Sequence, residues 1–156
     1  YGSIYEHSTW VAETVWAAGL GPADASPKHL AGRMAKIVDS AGQSRQMELL
    51  RAHPKLAGKL AVAGRLTTES AAEQASAGLD QCTAAEFEEF HLLNQRYHGK
   101  FGHPFVIAVR GLDRHAILDV FRKRIDNNTH DEFVAAMAEV HKIARLRLEQ
   151  LAQHTS

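Results

Sequence analysis

Arg147 is the first residue whose position suggests chemistry. Counted in helical steps, residues 129–151 put one stripe of side chains on a single face. This stripe contains Phe133, Met137, Val140, Ala144, Arg147 and Leu151. An arginine is rarely buried unless its guanidinium meets an anion. The sequence therefore predicts an anionic group, from the protein or from a ligand, inside a helical body. The alternatives are an internal ion pair with a structural carboxylate and a side chain that reaches the rim.

A second set of polar groups surrounds Glu73. Ser70, Glu73, Gln74 and Ala77 fall on one side of a short helical segment, and Ala71, Ala72 and Ala75 on the other. A hydroxyl, a carboxylate and an amide projecting from one rigid element could bind a polar small molecule. The alternative is a polar face in contact with solvent.

His53 precedes Pro54 at the end of a predicted helix. A residue before proline is pushed out of the helical region, so this histidine should sit at a break. An imidazole titrates near neutral pH and can transfer protons. The alternative is an incidental loop histidine.

The sequence gives weaker evidence for a metal site or a catalytic nucleophile than for the residues above. The chain has ten histidines and one cysteine, Cys82, without a His-Glu-x-x-His motif or a histidine pair at i, i+4. Gly-x-Ser-x-Gly, Gly-x-Gly-x-x-Gly and phosphate-loop motifs are also absent from the sequence. We therefore do not expect a metal site, and a metal-dependent hydrolase stays a rival interpretation.

Composition narrows the class of protein. The 156 residues are 45% apolar and carry 18 basic and 18 acidic side chains, which favours a globular domain and gives no bulk charge for nucleic acid. No apolar run approaches the roughly 20 residues of a membrane span. A single cysteine favours a reducing, cytoplasmic location. The first residue is Tyr1, so we expect a trimmed start.

Residues typical of helix starts and helix ends recur along the chain. They predict one all-α domain over residues 1–156, with about eight helices. The predicted starts lie at Ser8, Ser26-Pro27, Thr67 or Thr68, Thr83, Asp113 and Thr129. Residues 55–66 contain two glycines and are left open. Residues 105–109 form a short apolar run, an extended segment that periodicity cannot assign to strand or buried coil.

Five ordered blocks of sequence together resemble a known family. The blocks are residues 5–8 and 10–12 (YEHS, WVA); 53–59 (HPKLAGK); 66–70, 73–74 and 77–79 (LTTES, EQ, AGL); 92–94, 97, 100–102, 104–107 and 109–111 (LLN, Y, KFG, PFVI, VRG); and 139–140, 142–144 and 146–148 (EV, KIA, LRL). They resemble the 2-oxo-4-hydroxy-4-carboxy-5-ureidoimidazoline (OHCU) decarboxylases of urate degradation, over nearly the whole chain.

The resemblance implies an all-helical, cofactor-free and commonly dimeric carboxy-lyase that converts OHCU to (S)-allantoin and carbon dioxide. By motif match, the catalytic residues are His53, Glu73 and Arg147. The implied substrate-binding residues are Pro54, Ser70, Ala71, Ala72, Gln74, Phe105, Val106, Ile107, Ala108 and Val109. The expected binding partner is a small-molecule substrate, and the protein is expected to form a homodimer. We expect it to bind neither nucleic acid nor a membrane. The rival interpretation is a non-catalytic helical module that binds a ureide or another small anion.

Departures from the family pattern are also visible. From the resemblance we expect the family's first N-terminal helix to be missing. Lys55 stands where an acidic residue is common, and His103 stands where an aromatic residue is common. The sequence ends in His-Thr-Ser rather than a peroxisomal Ser-Lys-Leu signal, which favours a bacterial, cytoplasmic enzyme.

Overall fold

The structure is a computed structural model that describes residues 1–57 and 67–155. Within these ranges it contains seven α-helices and two short 3-10 helices, and no strand. The α-helices are α1 (Trp10–Ala18), α2 (Pro27–Ser40), α3 (Gln43–Arg51), α4 (Thr68–Ser76), α5 (Ala84–Phe101), α6 (Arg114–Arg124) and α7 (Thr129–Thr155). The 3-10 helices are Pro22–Ala25 and Leu79–Gln81. The predicted all-α class is confirmed. Most of the stretch left open in the sequence, residues 58–66, lies outside the described ranges.

The helix starts show where local sequence decides the structure. Ser26 and Asp113 accept hydrogen bonds from the backbone N–H groups of His29 and Ala116, as predicted for N-caps. Thr67 caps α4, and Thr83 and Glu86 form the predicted capping box at α5. These side chains satisfy N–H groups that the first helical turn leaves without intrahelical partners.

Two predicted helix starts are wrong by one residue. Thr9, not Ser8, precedes α1, and the Ser8 hydroxyl instead donates to the carbonyl of Glu6. At α7 the capping acceptor is the Asn128 side chain, which receives the N–H of Asp131 at 2.8 Å. Glu132 does not fold back onto the helix start because its carboxylate is fully buried in an ion pair.

The chain divides into two compact units. The first contains residues 1–53 and the part of α7 from Met137 onward. In it α1 packs on α2 and α2 contacts α3. Its buried apolar residues include Val11, Val15, Leu30, Met34, Val38, Leu49, Leu50, Val140, Ala144 and Leu148. This unit carries His53 and Arg147.

The second unit runs from Pro54 to Ala136. Its hydrophobic core is rich in aromatic rings, with Phe90, Tyr97, Phe105 and Phe121 all buried. The rings of Phe105 and Phe121 stack with centroids 4.0 Å apart, and Tyr97 meets both rings edge-on. This unit carries Glu73 and the segment 105–109.

The stripe predicted on α7 is correct in its middle and wrong at its ends. Met137, Val140, Ala144 and Arg147 are buried, whereas Phe133 is half-buried and Leu151 is exposed. Periodicity gives the direction of each side chain but not how completely its neighbours cover it, so it overestimates the length of the buried face. Among the described residues, no helix is both long and apolar enough to cross a membrane.

Candidate active site

Arg147 is buried, as the helical spacing predicts, with 5% of its surface exposed. Its Nη2 donates to Glu6 Oε2 at 2.9 Å, and its Nη1 donates to the carbonyls of Ser3 at 3.1 Å and Ile4 at 3.4 Å. The predicted anion therefore exists, and one such group belongs to the protein itself. The contact between Arg147 and Glu6 favours the alternative interpretation, in which the buried arginine forms an internal ion pair with a structural carboxylate.

Glu6 is the site residue that sequence reasoning missed. It is 2% exposed and lies in a turn-rich segment before α1, where no helical periodicity marks a buried face. The available signal was indirect: a buried arginine requires an anion, and Glu6 belongs to the first block of the family resemblance.

His53 lies two residues beyond the end of α3 and is buried, as its place before Pro54 suggested. Its Nδ1 lies 2.9 Å from the carbonyl oxygen of Leu49, so Nδ1 carries the proton and donates it. Burial lowers the pKa of His53 to about 4, with the positive charge of Arg147 acting in the same direction and the charge of Glu6 opposing it. The imidazole is therefore neutral near pH 7, with Nε2 as its basic nitrogen.

A hydrogen-bonded chain anchors the residue next to Glu6. The hydroxyl of Tyr5 lies 2.8 Å from His141 Nδ1, and His141 Nε2 lies 2.9 Å from Asp39 Oδ1. Burial, followed by the charge of Asp39, raises the pKa of Tyr5 well above its usual range. Tyr5 therefore stays a neutral phenol that holds the N-terminal segment against α7.

In the second unit, the polar face of α4 is the buried face. Ser70 and Gln74 are each 5% exposed and Glu73 is half-buried, whereas Ala71 and Ala72 are exposed. The alternative of a solvated polar face is therefore wrong for Ser70 and Gln74. A buried hydroxyl and amide on a short helix need polar partners.

Gln74 finds those partners in the turn that follows Pro54. Its Oε1 accepts the N–H of Ala57 at 3.1 Å, and its Nε2 lies 3.4 Å from the carbonyl of Lys55. Asn94 Nδ2 donates to the carbonyl of Leu56 at 3.0 Å. Ala57 has a φ of 50°, in the left-handed region that costs a non-glycine residue about 1–2 kcal/mol. These amide side chains stabilise that turn, beside which Pro54 is half-buried.

Residues 105–109 form a buried coil, which settles the choice between strand and coil. Phe105, Ile107 and Val109 pack in the core of the second unit, as alternate residues of an extended segment do. The carbonyls of Val106 and Val109 accept hydrogen bonds from Arg124 and Leu112. Within the described ranges, the N–H groups of these five residues have no protein partner. Buried backbone donors are normally paired, so this row of N–H groups departs from the usual pattern.

The second unit also contains an ion pair between half-buried Arg124 and buried Glu132. Arg124 Nε donates to Glu132 Oε1 at 2.8 Å, and the hydroxyl of Tyr97 donates to the same oxygen at 2.6 Å. Asn127 donates to Glu132 Oε2 at 3.0 Å. The neighbouring His103 is buried against Tyr97 and Phe101, its Nδ1 is 2.9 Å from the Pro104 carbonyl, and burial lowers its pKa.

The predicted site residues thus fall into two groups. His53 and Arg147 lie together in the first unit, where the charge of Arg147 acts on the imidazole. Pro54, Glu73, the other α4 residues and the segment 105–109 lie in the second unit. In the described part of the chain, no three His, Cys, Asp or Glu side chains are placed to hold a metal ion.

Comparison with known proteins decides the family. A sequence model of the family described as OHCU decarboxylase matches residues 1–149. The chain belongs to the OHCU decarboxylase family. This confirms the resemblance carried by the five sequence blocks.

Named relatives agree with this membership. The 2-oxo-4-hydroxy-4-carboxy-5-ureidoimidazoline decarboxylases of Halalkalicoccus jeotgali and Haloferax volcanii are 43% and 41% identical to the chain. Both matches cover 96% of this chain, and they cover 81% and 85% of the respective relative. The uric acid degradation bifunctional protein PucL of Bacillus subtilis is 37% identical, over 96% of this chain and 29% of its own length.

Solved structures share the fold of the family. A crystal structure of (S)-allantoin synthase superposes with a TM-score of 0.73 at 32% identity, covering 96% of this chain and 47% of that one. A crystal structure of OHCU decarboxylase in the presence of (S)-allantoin gives a TM-score of 0.75 at 22% identity, over 97% and 96% of the two chains.

Proposed function

We propose that this protein decarboxylates OHCU to (S)-allantoin in urate degradation, without a cofactor. Membership of the OHCU decarboxylase family supports the reaction, and the relatives at 41–43% identity are named for it. The observation that carries the chemistry is the buried imidazole of His53, held through Nδ1 by Leu49 beside the Arg147–Glu6 pair.

Decarboxylation needs a destination for the electron pair of the breaking carbon–carbon bond. In OHCU the ring imine next to the carboxylated carbon can take up this pair, so the substrate supplies its own electron sink. The protein has to hold the carboxylate out of the ring plane, so that the breaking bond overlaps the π system. After carbon dioxide leaves, the adjacent ring carbon must receive a proton on one face.

His53 is suited to this proton transfer. Its neutral form presents Nε2 as an acceptor for the proton of the substrate 4-hydroxyl. Loss of that proton turns the 4-hydroxyl into the carbonyl of allantoin, and the imidazolium then returns the proton to the neighbouring carbon. A second proton, from solvent, neutralises the ring nitrogen that took up the electron pair. The net reaction consumes one proton and releases one carbon dioxide.

Arg147 is assigned to anionic or carbonyl oxygens of the substrate. A guanidinium is planar and permanently charged, and it can bind two oxygens side by side. Its burial strengthens such contacts, because the surrounding dielectric is lower than that of water.

Groups carried by α4 and by residues 105–109 are assigned to the ureido and ring amides. Glu73 is assigned to substrate N–H groups, and its charge disfavours the substrate carboxylate and so favours its departure. Ser70 and Gln74 orient these groups. The backbone N–H row of residues 105–109 is assigned to carbonyl oxygens of the ring edge, in the way an edge strand binds a neighbour.

A homodimer is part of the proposal, because the family resemblance implies one. Sedimentation equilibrium at micromolar concentration tests it, and a mass of 17.2 kDa would identify a monomer instead. A cytoplasmic location and a bacterial source stay predictions of the sequence.

The decisive experiment follows the handedness of the product. Freshly generated OHCU decays without catalyst to racemic allantoin, so we expect purified protein to give a circular dichroism signal of the S form. Substrate loss at the uncatalysed rate with a silent signal would contradict the proposal. Calorimetric binding of allantoin without turnover would favour the ureide-binding module, and loss of turnover after chelation would favour the metal-dependent hydrolase.

A further inference from the structure

We propose that Glu6 is a positioning residue, which fixes the direction of the Arg147 guanidinium without itself touching the substrate. The inference rests on the proposed function, because it assigns Arg147 a role toward the substrate. Its evidence is a contact between the first and the last elements of the first unit.

Three acceptors from one short segment hold the guanidinium. The Glu6 carboxylate accepts a hydrogen bond from Nη2, and the carbonyls of Ser3 and Ile4 accept hydrogen bonds from Nη1. A guanidinium is rigid and planar, so holding both of its terminal nitrogens fixes the orientation of the whole group. Glu6 and Arg147 are 2% and 5% exposed, which leaves little room for an alternative rotamer of either side chain.

The segment that carries Glu6 is itself anchored on both sides of this residue. Ser8 Oγ donates to the Glu6 carbonyl at 2.9 Å, and Tyr5 is held by His141. Between them, His7 adopts a φ of 48°, a conformation that L-residues rarely occupy without local support. The backbone therefore presents the Glu6 carboxylate in one direction.

The charge of Glu6 also acts on the proton-transfer residue. His53 is buried, so every nearby charge changes its proton affinity: Glu6 raises its pKa, while Arg147 and His7 lower it. His7 also lies near Glu6, with Nε2 3.8 Å from Oε1. If Glu6 loses its charge, burial, Arg147 and His7 act without this opposition, and the pKa of His53 falls further.

The first experiment measures steady-state kinetics of Glu6→Gln against pH. Because the amide cannot pair with the guanidinium as a carboxylate does, Arg147 loses its orientation, and we expect kcat/KM to fall about 100-fold. The acid limb of kcat/KM should also move to lower pH. Glu6→Asp keeps the charge with a shorter reach, and it should restore part of the rate and the original acid limb.

The matched control is Asp24→Asn, which removes a carboxylate paired with Arg33 in the same unit. We expect unchanged kinetics from this control. Kinetics of Glu6→Gln within twofold of the wild type, with the same acid limb, would overturn the inference.

The second experiment does not require the Glu6 single variant to fold. In Arg147→Ala, millimolar guanidinium ion should bind to the remaining acceptors, raise the melting temperature and restore part of the activity. In Arg147→Ala/Glu6→Gln, which removes both charges of the pair, both effects should disappear. Equal binding and rescue in the two variants would show that Glu6 does not position the group.

The two experiments separate this inference from the proposed function. If the wild type fails to decarboxylate OHCU, the function is wrong, while guanidinium binding that depends on Glu6 still reports positioning. If the wild type is active but neither experiment distinguishes Glu6 from its control, only the inference is wrong.

Discussion

Among the described residues of the protein, each of the two units contains an arginine paired with a buried glutamate near a buried histidine. In the first unit Arg147 pairs with Glu6 near His53, and in the second Arg124 pairs with Glu132 near His103. Both histidines have Nδ1 2.9 Å from a backbone carbonyl, and burial lowers the pKa of each. The two centres, each defined by these three side chains, thus contain the same functional groups: a guanidinium, a carboxylate and an imidazole.

The side chains around the two histidines differ, and this difference distinguishes a structural role from a catalytic one. Aromatic rings pack on the second centre: Tyr97 and Phe101 contact His103, and the Arg124 guanidinium lies 4.4 Å from the centre of the Phe105 ring. Within the described ranges, His53 has no such ring contact and its hydrogen bond goes to Leu49. A buried ion pair is therefore weak evidence of function by itself, and the environment of the neighbouring imidazole distinguishes the two centres.

The largest effect should come from breaking the aromatic centre. Glu132→Gln removes the fully buried carboxylate that pairs with half-buried Arg124, and we expect it to cost about 3–5 kcal/mol of unfolding free energy. Urea denaturation measures this loss. Glu89→Gln, which removes a half-buried partner of exposed Arg122, is the control and should cost much less, because solvent screens this pair. Equal losses in the two variants would mean that burial does not matter at this pair.

The second effect should be on catalysis and should separate the two histidines. His53→Gln removes the proposed proton-transfer group, so we expect kcat to fall at least about 100-fold with allantoin formation as the assay. His103→Phe keeps an aromatic ring among Tyr97 and Phe101 and should leave kcat unchanged. A loss of kcat in His103→Phe as large as that in His53→Gln would remove the functional distinction between the centres.

The smallest effect should appear in the pH dependence of stability. Folding lowers the pKa of His53 from 6.5 to about 4, so the unfolded chain binds more protons in this window and stability falls as the pH decreases through it. Between pH 7 and pH 5 the wild type should lose about 2 kcal/mol more than His53→Gln. Urea midpoints at the two pH values check this. His103→Phe should also flatten the dependence, because burial lowers the pKa of His103 in the same direction. Parallel curves for all three proteins would contradict both assignments.

Helical periodicity predicted much of the fold and one of the two centres. The spacing on α7 located Arg147 as a buried charge, and capping residues located the starts of α2, α4, α5 and α6. Such features depend on residues three or four apart, which a single sequence displays directly.

The partners of these residues could not be predicted in the same way. Glu6 and Arg147 are 141 positions apart, and no local rule connects them. Glu132 suggested a capping box by its position after Thr129, but its burial with Arg124 and Tyr97 is decided by tertiary packing. Tertiary packing also decides the environment of α4. Its sequence alone left open a polar face in contact with solvent, whereas Ser70 and Gln74 are buried.

The long separation between Glu6 and Arg147 has a consequence for synthesis on the ribosome. The ribosome makes the glutamate 141 residues before the arginine, so their contact forms only after the segment between them has been translated. Nascent chains that stop short of the arginine have the carboxylate but not this guanidinium. The orientation that we propose for this guanidinium is therefore acquired only once the arginine has been translated.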